Sequence, residues 1–418
     1  MKRGTIYSML AMLALLCGMA AAPGCSRKGA DSSTTDEPRR MPANLKASEK
    51  QLCESSAGFG LRLFREIVDA EPNSSNIFIS PLSASMALGM TLNGAGGETR
   101  DSMQSTLQLT GLTLPEINES YQGLIDVLIH ADDDVKFQIA NSIWYREGLP
   151  VMTEFIDLNK TFFDALVTEM NFNDTAAADI INAWVNDNTL GKIPTIVQKP
   201  INWDIVMFLI NAVYFKGAWT SEFDEELTRD TLFTLTDNSK VPCCMMYQEG
   251  NFASYHNDLF DVVDLPYGGG SFRMTLFLPG PEIDVNELAA QFTDANWAEW
   301  IGNLEEKHIN LGLPRFKFDY KIKLNDVLEA MGMGIALSPG ADFSNMIEGD
   351  EVWIDKVLQK AFIEVNEEGT EAAAATVVVV VVSIPPNVNF DRPFIFVIRE
   401  NVSGAILFMG RVMEPVYN

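Results

Sequence analysis

Histidine and cysteine are both scarce in this chain of 418 residues, at three and five copies. The histidines, His130, His256 and His308, stand far apart, and no H-E-x-x-H, P-loop or nucleophile-elbow string occurs. Carboxylates are plentiful, but their spacing singles out no pair. The sequence therefore offers no catalytic residue, no metal-binding set and no cofactor motif, and an enzyme is not expected. Of the cysteines, Cys17 lies in an apolar leader and Cys25 directly after it, so Cys53, Cys243 and Cys244 are too few for a disulfide framework. Adjacent Cys243 and Cys244 have no C-x-x-C partner and read as inert. Positive charge is also short. Thirty basic residues face 57 acidic ones, and beyond residue 50 the balance is 22 against 53, which argues against nucleic acid or an anionic membrane as partner. No apolar run reaches the ~20 residues a spanning helix needs. No linker and no internal repeat divides residues 51–418.

What is present begins with Lys2 and Arg3, an apolar core from Met9 to Ala22, and then Pro23-Gly24-Cys25. This has the form of a signal peptide over residues 1–24. The cysteine after Gly24 resembles a bacterial lipoprotein processing site, with Ala22 where leucine is usual and Pro23 where a small residue is usual. That resemblance implies lipidation at Cys25, with simple secretion as the alternative. Residues 25–50 are polar and lack aromatics, the composition of a tether. The remaining 51–418 is long and apolar enough for one large core.

Within it, helical spacing predicts helices over Leu61–Ala70, Leu82–Leu92, Thr99–Leu107, Glu154–Leu166, Ala176–Asn186, Val285–Phe292 and Lys321–Met331. Ser80-Pro81 supplies a cap and first-turn proline. Strands are expected at Ile77–Ile79, Val135–Tyr145, Asp261–Tyr267, Phe272–Leu278, His308–Phe318, Lys356–Val365, Pro393–Arg399 and Gly404–Val412. Ile205–Phe215 reads as a central strand buried on both faces. Gly268-Gly269-Gly270 reads as a hairpin turn. Helices come mostly first and strands mostly later, an α+β arrangement.

The most unusual stretch is Glu367–Pro386, EEGTEAAAATVVVVVVSIPP. From Ala372 to Val382 every residue is small or β-branched, so the segment suits the middle of a sheet. Yet Gly369 and Pro385-Pro386 bracket it with turn formers. Such a run is an aggregation hazard unless the protein uses it. A buried strand and a loop that later becomes a strand both fit this composition.

Glu367-Glu368-Gly369-Thr370-Glu371-Ala372-Ala373-Ala374-Ala375-Thr376 resembles the reactive-loop hinge of the serpin family, and Ser383-Ile384-Pro385-Pro386 resembles the segment after that family's cleaved bond. Further similar strings are Asn76–Ser83 with Gly94–Thr99, Asn211–Trp219 ending at Phe223, Leu265–Tyr267, Leu313–Phe316, Ala341–Ser344, Asp391–Phe394 and Leu407–Arg411. They follow the family's order through most of the chain.

The resemblance implies a single metastable α+β domain with a large central β-sheet, further sheets, about eight or nine helices and an exposed reactive loop near 367–386. It implies a suicide-substrate inhibitor whose cut loop enters the sheet as an extra strand. The hinge would be Glu367 to Thr376. The cut is expected at Val382–Ser383, counting back from the Ser-Ile-Pro-Pro string, with Ser383–Ile384 as runner-up on the count forward from Gly369. Ser80, Ser83, Asn211 and Gln359 match the cluster where the sheet opens, glutamine standing where the family often has histidine. Trp219, Arg315 and Glu367 match the region where insertion begins, with a Glu367–Arg315 ion pair expected. Valine or serine before the cut favours an elastase-like serine protease as partner, with subtilisin-like and papain-like cysteine proteases as alternatives. A monomer is expected, secreted or held on the extracellular or periplasmic side of the envelope, touching membrane only through a lipid at Cys25. The alternative is a non-inhibitory member acting as a surface binding or chaperone-like protein. Such members usually carry obstructive hinge residues, whereas Thr370 to Thr376 is permissive.

Overall fold

The computed structural model describes residues 45–73, 76–349, 352–370 and 385–417. In chain order it runs α1 (Ala47–Ala70), β1 (Ile77–Ile79), α2 (Pro81–Leu92), α3 (Gly97–Thr106), α4 (Leu114–Ile129) and β2 (Val135–Arg146). Next come α5 (Thr153–Phe163), β3 (Leu166–Met170), α6 (Ala177–Asn188), β4 (Met207–Ala218), β5 (Arg229–Thr234) and β6 (Lys240–His256). Then follow β7 (Phe260–Tyr267), β8 (Phe272–Pro279), α7 (Val285–Ala290), α8 (Asp294–Gly302), β9 (Glu305–Pro314) and β10 (Phe316–Lys323). The chain ends with α9 (Asn325–Leu328), β11 (Leu358–Val365), β12 (Gly369–Thr370), β13 (Asn387–Asn389), β14 (Phe394–Glu400) and β15 (Ile406–Val412). Nine α-helices are thus present among the described residues, and the α+β class holds.

The sheet that carries the site is mixed and comes in two parts. Strands β12-β4-β2-β3 form one part and the β10-β11 pair the other. β2 runs parallel to β3 and antiparallel to β4. A second sheet has the order β1-β15-β14-β8-β7-β6-β9-β13, with β5 on β6. Its interior strands β14 and β15 are buried along their whole length, so the apolar runs Phe394–Ile398 and Ile406–Met409 meet core on both faces. α2 lies beneath β4, capped by the Ser80 hydroxyl and started by Pro81. α1 crosses it closely at Gly60, where a Cβ would come within 2.8 Å of the Pro81 side chain. A separate apolar cluster (Trp144, Phe172, Ile181, Val185, Ile210) seats α6 on the other face of β2 and β4.

The structure corrects some expected elements. His308–Phe318 is not one strand: the chain bends at Arg315, so β9 joins the second sheet and β10 the first. The helix expected over Lys321–Met331 starts only at Asn325, because Phe316, Phe318, Tyr320 and Ile322 keep the period of a strand through Lys323. The expected helix over Glu154–Leu166 ends at Phe163, with Asp164 left-handed, and Leu166 opens β3. α1 begins at Ala47, inside the segment read as tether, because Leu52, Cys53 and Phe59 already pack into the core. β4 begins at Met207, and its residues are only part-buried along much of their length.

Candidate functional site

β11 rises to Val365 and the chain then reverses. Asn366 N donates to Gly369 O at 3.1 Å and Gly369 N to Asn366 O at 3.2 Å. The returning residues form β12, antiparallel to β4 in the register Gly369 to Ala218 and Thr370 to Gly217. Gly369 has φ +122, and a Cβ there would stand 2.5 Å from Gly217 O and 2.6 Å from Trp219 N. Only glycine allows the turn.

Three of the expected residues meet beside it. Arg315 Nε donates to Glu367 Oε1 at 2.7 Å, and its terminal nitrogen lies 2.6 Å from the same oxygen. Thr228 Oγ1 donates to that oxygen as well. The hydrogen bond to Glu367 is the main cause pushing the Arg315 pKa up. Trp219 Nε1 donates to Asn366 O at 3.0 Å, and its ring stacks on Tyr267 at 4.4 Å. Backbone bonds from Trp219 N to Glu368 O and from Phe223 N to Glu367 O, both 3.0 Å, complete the knot. Glu367 is only 3% exposed. Replacing it by alanine strands the guanidinium and the Thr228 hydroxyl. The expected cost is about 2 kcal/mol, less than for a fully buried pair because Arg315 reaches solvent. A lower urea midpoint at unchanged slope would register it, and Glu367→Gln, which keeps an acceptor, should lose less.

Below this knot the two parts of the sheet do not join. Among the described residues β4 pairs only with β2 and β12, and β11 only with β10. The facing edges of β4 and β11 line one cavity of about 580 Å³. Its walls include Leu209 to Lys216 and Leu358 to Glu364, its floor Ser83, Ala84 and Ala87 of α2, and its roof Ile193 and Val197 after α6. This is a slot bounded by two strand edges and covered on both faces.

The four cluster residues all line it. Ser80 N donates to Gln359 Oε1 at 3.0 Å and Gln359 Nε2 to Ser80 O at 2.7 Å, so the amide ties β11 to the start of α2 in both directions. Ser80 Oγ donates to Leu407 O and accepts from Ser83 N; Ser83 Oγ donates to Asn211 O at 3.3 Å. Asn211 Nδ2 donates to Asn141 Oδ1 at 2.8 Å, while Asn211 Oδ1 is buried without a partner among the described residues.

Cys243 is buried, which is the main reason its thiol pKa is pushed up to about 11, and Cys244 is raised too. Neither is poised as a thiolate. Sequence reasoning gave no role to Thr228 or Tyr267, which hold Glu367 and Trp219; Thr228 stands in no distinctive string, and the Leu265–Tyr267 string does not show that Tyr267 meets Trp219. Glu371 to Ile384, which include the rest of the hinge and both proposed cut bonds, and Cys25 lie outside the described residues.

A family model described as serpin (serine protease inhibitor) matches residues 54–415. Human neuroserpin is 33% identical over 376 residues, 87% of this chain and 91% of that protein. Pig leukocyte elastase inhibitor is 34% identical over 380 residues, 88% of this chain and all of that protein. Among solved structures, the thermophilic serpin tengpin in its native state superposes with a TM-score of 0.80 at 31% identity, covering 90% of this chain and 96% of that one. With the split sheet and the glycine turn into its slot, these matches establish that the chain belongs to the serpin family.

Proposed function

We propose that this chain is a suicide-substrate inhibitor of a serine protease, which cuts the loop at Val382–Ser383 (or one bond on, at Ser383–Ile384) and is trapped when the freed strand fills the slot. One observation carries this: β12 already occupies the top of the slot in a fixed register. Continued at that register, Glu371 comes opposite Lys216, Ala374 opposite Val213, Thr376 opposite Asn211 and Val380 opposite Met207, the first residue of β4. The slot-facing edge of β4 from Met207 to Lys216, which has no strand partner among the described residues, would take Glu371 to Val380, with Val381 and Val382 running past its end.

Alternation supports the same reading. Ala372, Ala374, Val378 and Val380 would face inward beside Phe215, Val213, Leu209 and Met207, which pack on the main core. Val377 and Val379 would face outward beside Ile210 and Phe208, under the α6 cluster. A slot covered on both faces calls for a strand apolar on both. Thr376 would bring a hydroxyl donor to the unpartnered Asn211 Oδ1. Burial of the valines at ~1.5 kcal/mol each, with new ladder bonds, supplies of order 10 kcal/mol. Drawing Thr370 to Val382 fully into the sheet moves the cut end by roughly 43 Å, and an acyl-linked protease with it.

Valine or serine at the cut, preceded by valines, favours a protease with a small apolar pocket, elastase-like before subtilisin-like or papain-like. Lipidation at Cys25 would place the inhibitor on the cell envelope. Incubation with an elastase is expected to give an SDS-stable 1:1 complex together with a C-terminal fragment beginning at Ser383 or Ile384. Quantitative cleavage with no complex would defeat the proposal.

A further inference from the structure

The roof of the slot reaches its far wall through a charged side chain, Lys192. After α6, Thr189 Oγ1 donates to Val185 O at 2.9 Å and accepts from Ile193 N at 3.1 Å. Asn182 holds the next stretch, its Oδ1 accepting from Ile196 N and Val197 N at 2.9 Å and its Nδ2 donating to Val197 O at 2.8 Å. The roof is thereby rigidly joined to α6, which is seated on β2 and β4. Lys192 lies in the turn fixed by Thr189. Its Nζ lies 4.8 Å above the Phe362 ring and 3.7 Å from Glu364 Oε2, both on the outer face of β11.

Glu364 has other partners. Lys317 Nζ of β10 is 3.4 Å from its Oε1, and the Tyr417 hydroxyl donates to that oxygen at 3.3 Å. Tyr417 in turn lies beneath the Arg315 guanidinium, 5.9 Å from the ring centroid. One carboxylate on β11 therefore gathers the roof, the neighbouring strand and the C-terminal tail beside the point where the loop turns into the slot.

We infer that Glu364 and Lys192 form a latch across the slot that sets how fast a strand can pass between β4 and β11. This rests on the inhibitory reading above. A strand entering between β4 and β11 runs beneath the contact by which Lys192 of the roof reaches Glu364 and Phe362. Its outward side chains must pass under that contact, so the Lys192 ammonium has to give way as they enter. Lys317 and Tyr417 stay with β11 and keep the carboxylate oriented toward the roof. The latch slows both productive and premature insertion.

The test uses the full chain and a synthetic peptide of residues 370–383, followed by native gel shift. Lys192→Met and Glu364→Gln keep size and shape while removing charge. Each is expected to take up the peptide about three- to fivefold faster than the parent, the range of a partly exposed ion pair. The double variant should be no faster than either single one, since both remove one contact. Raising salt should accelerate the parent and leave the variants nearly unchanged, a response that altered packing alone does not give. Uptake rates and salt slopes equal to the parent's, or slower uptake, would overturn the latch while leaving the inhibitory reading intact. A parent that takes up no peptide and forms no complex with an elastase would overturn both.

Discussion

A single cut in the loop is expected to raise the melting temperature of this protein by about 15 °C. Insertion of the Ala-Val ribbon adds a central strand, worth of order 10 kcal/mol in valine burial and ladder bonds. For a domain of this size each kcal/mol corresponds to roughly 1.5–2 °C. The two fragments stay together after the cut. The C-terminal piece contributes β14 and β15, whose residues Phe394 to Val397, Ile406 and Leu407 are 0% exposed at the centre of the second sheet. Calorimetry on intact and elastase-nicked protein measures the shift directly. Equal melting temperatures would mean that the slot gains nothing from being filled, and no trap could be driven by it. The comparison also separates an inhibitor from a family member that serves only as a binding protein, because the latter can be nicked without changing its sheet.

Much of this was legible in the chain, and the reasons differ by element. The buried strands of the second sheet announced themselves because continuous apolar runs such as Phe394–Ile398 have no alternative to a two-sided core. The cap at Ser80 and the turn at Gly369 were readable because each depends on a residue type that local backbone geometry demands. β9 and β10 read as one strand although Pro314 stands at their junction and the apolar positions shift there from 309, 311 and 313 to 316, 318, 320 and 322, because each half alone has the alternation of a strand. β4 read as a fully enclosed strand because its residues are apolar on both sides. That composition suits a strand awaiting a neighbour as well as one that has it. Glu364 and Lys192 were invisible for a simpler reason: they are 172 residues apart, and a cross-slot pair of ordinary surface residue types becomes apparent only in three dimensions.

Placing a charge on the inward face of the hinge should convert the inhibitor into a substrate, and Ala374→Arg tests this most sharply. If the register of Gly369 and Thr370 continues, position 374 would come opposite Val213, which packs against the main core. An arginine there must be buried with no carboxylate partner as the ribbon passes, a penalty of several kcal/mol. Insertion competes with hydrolysis of the acyl-enzyme, so even ~2 kcal/mol on the insertion barrier shifts that partition by about 30-fold. The variant should be cut at the same bond and at a similar rate, yet consume about 30 molecules per protease inactivated where a parent that partitions evenly between the two fates consumes about two. Its nicked form should show little of the thermal gain, because the ribbon stops above Thr376 and never reaches Asn211 or the valine-lined half of the slot. Near-stoichiometric inhibition by Ala374→Arg would show that the ribbon does not enter in this register. The ten positions Met207 to Lys216 of β4, whose slot-facing edge has no strand partner among the described residues, would then not be the seat of Glu371 to Val380.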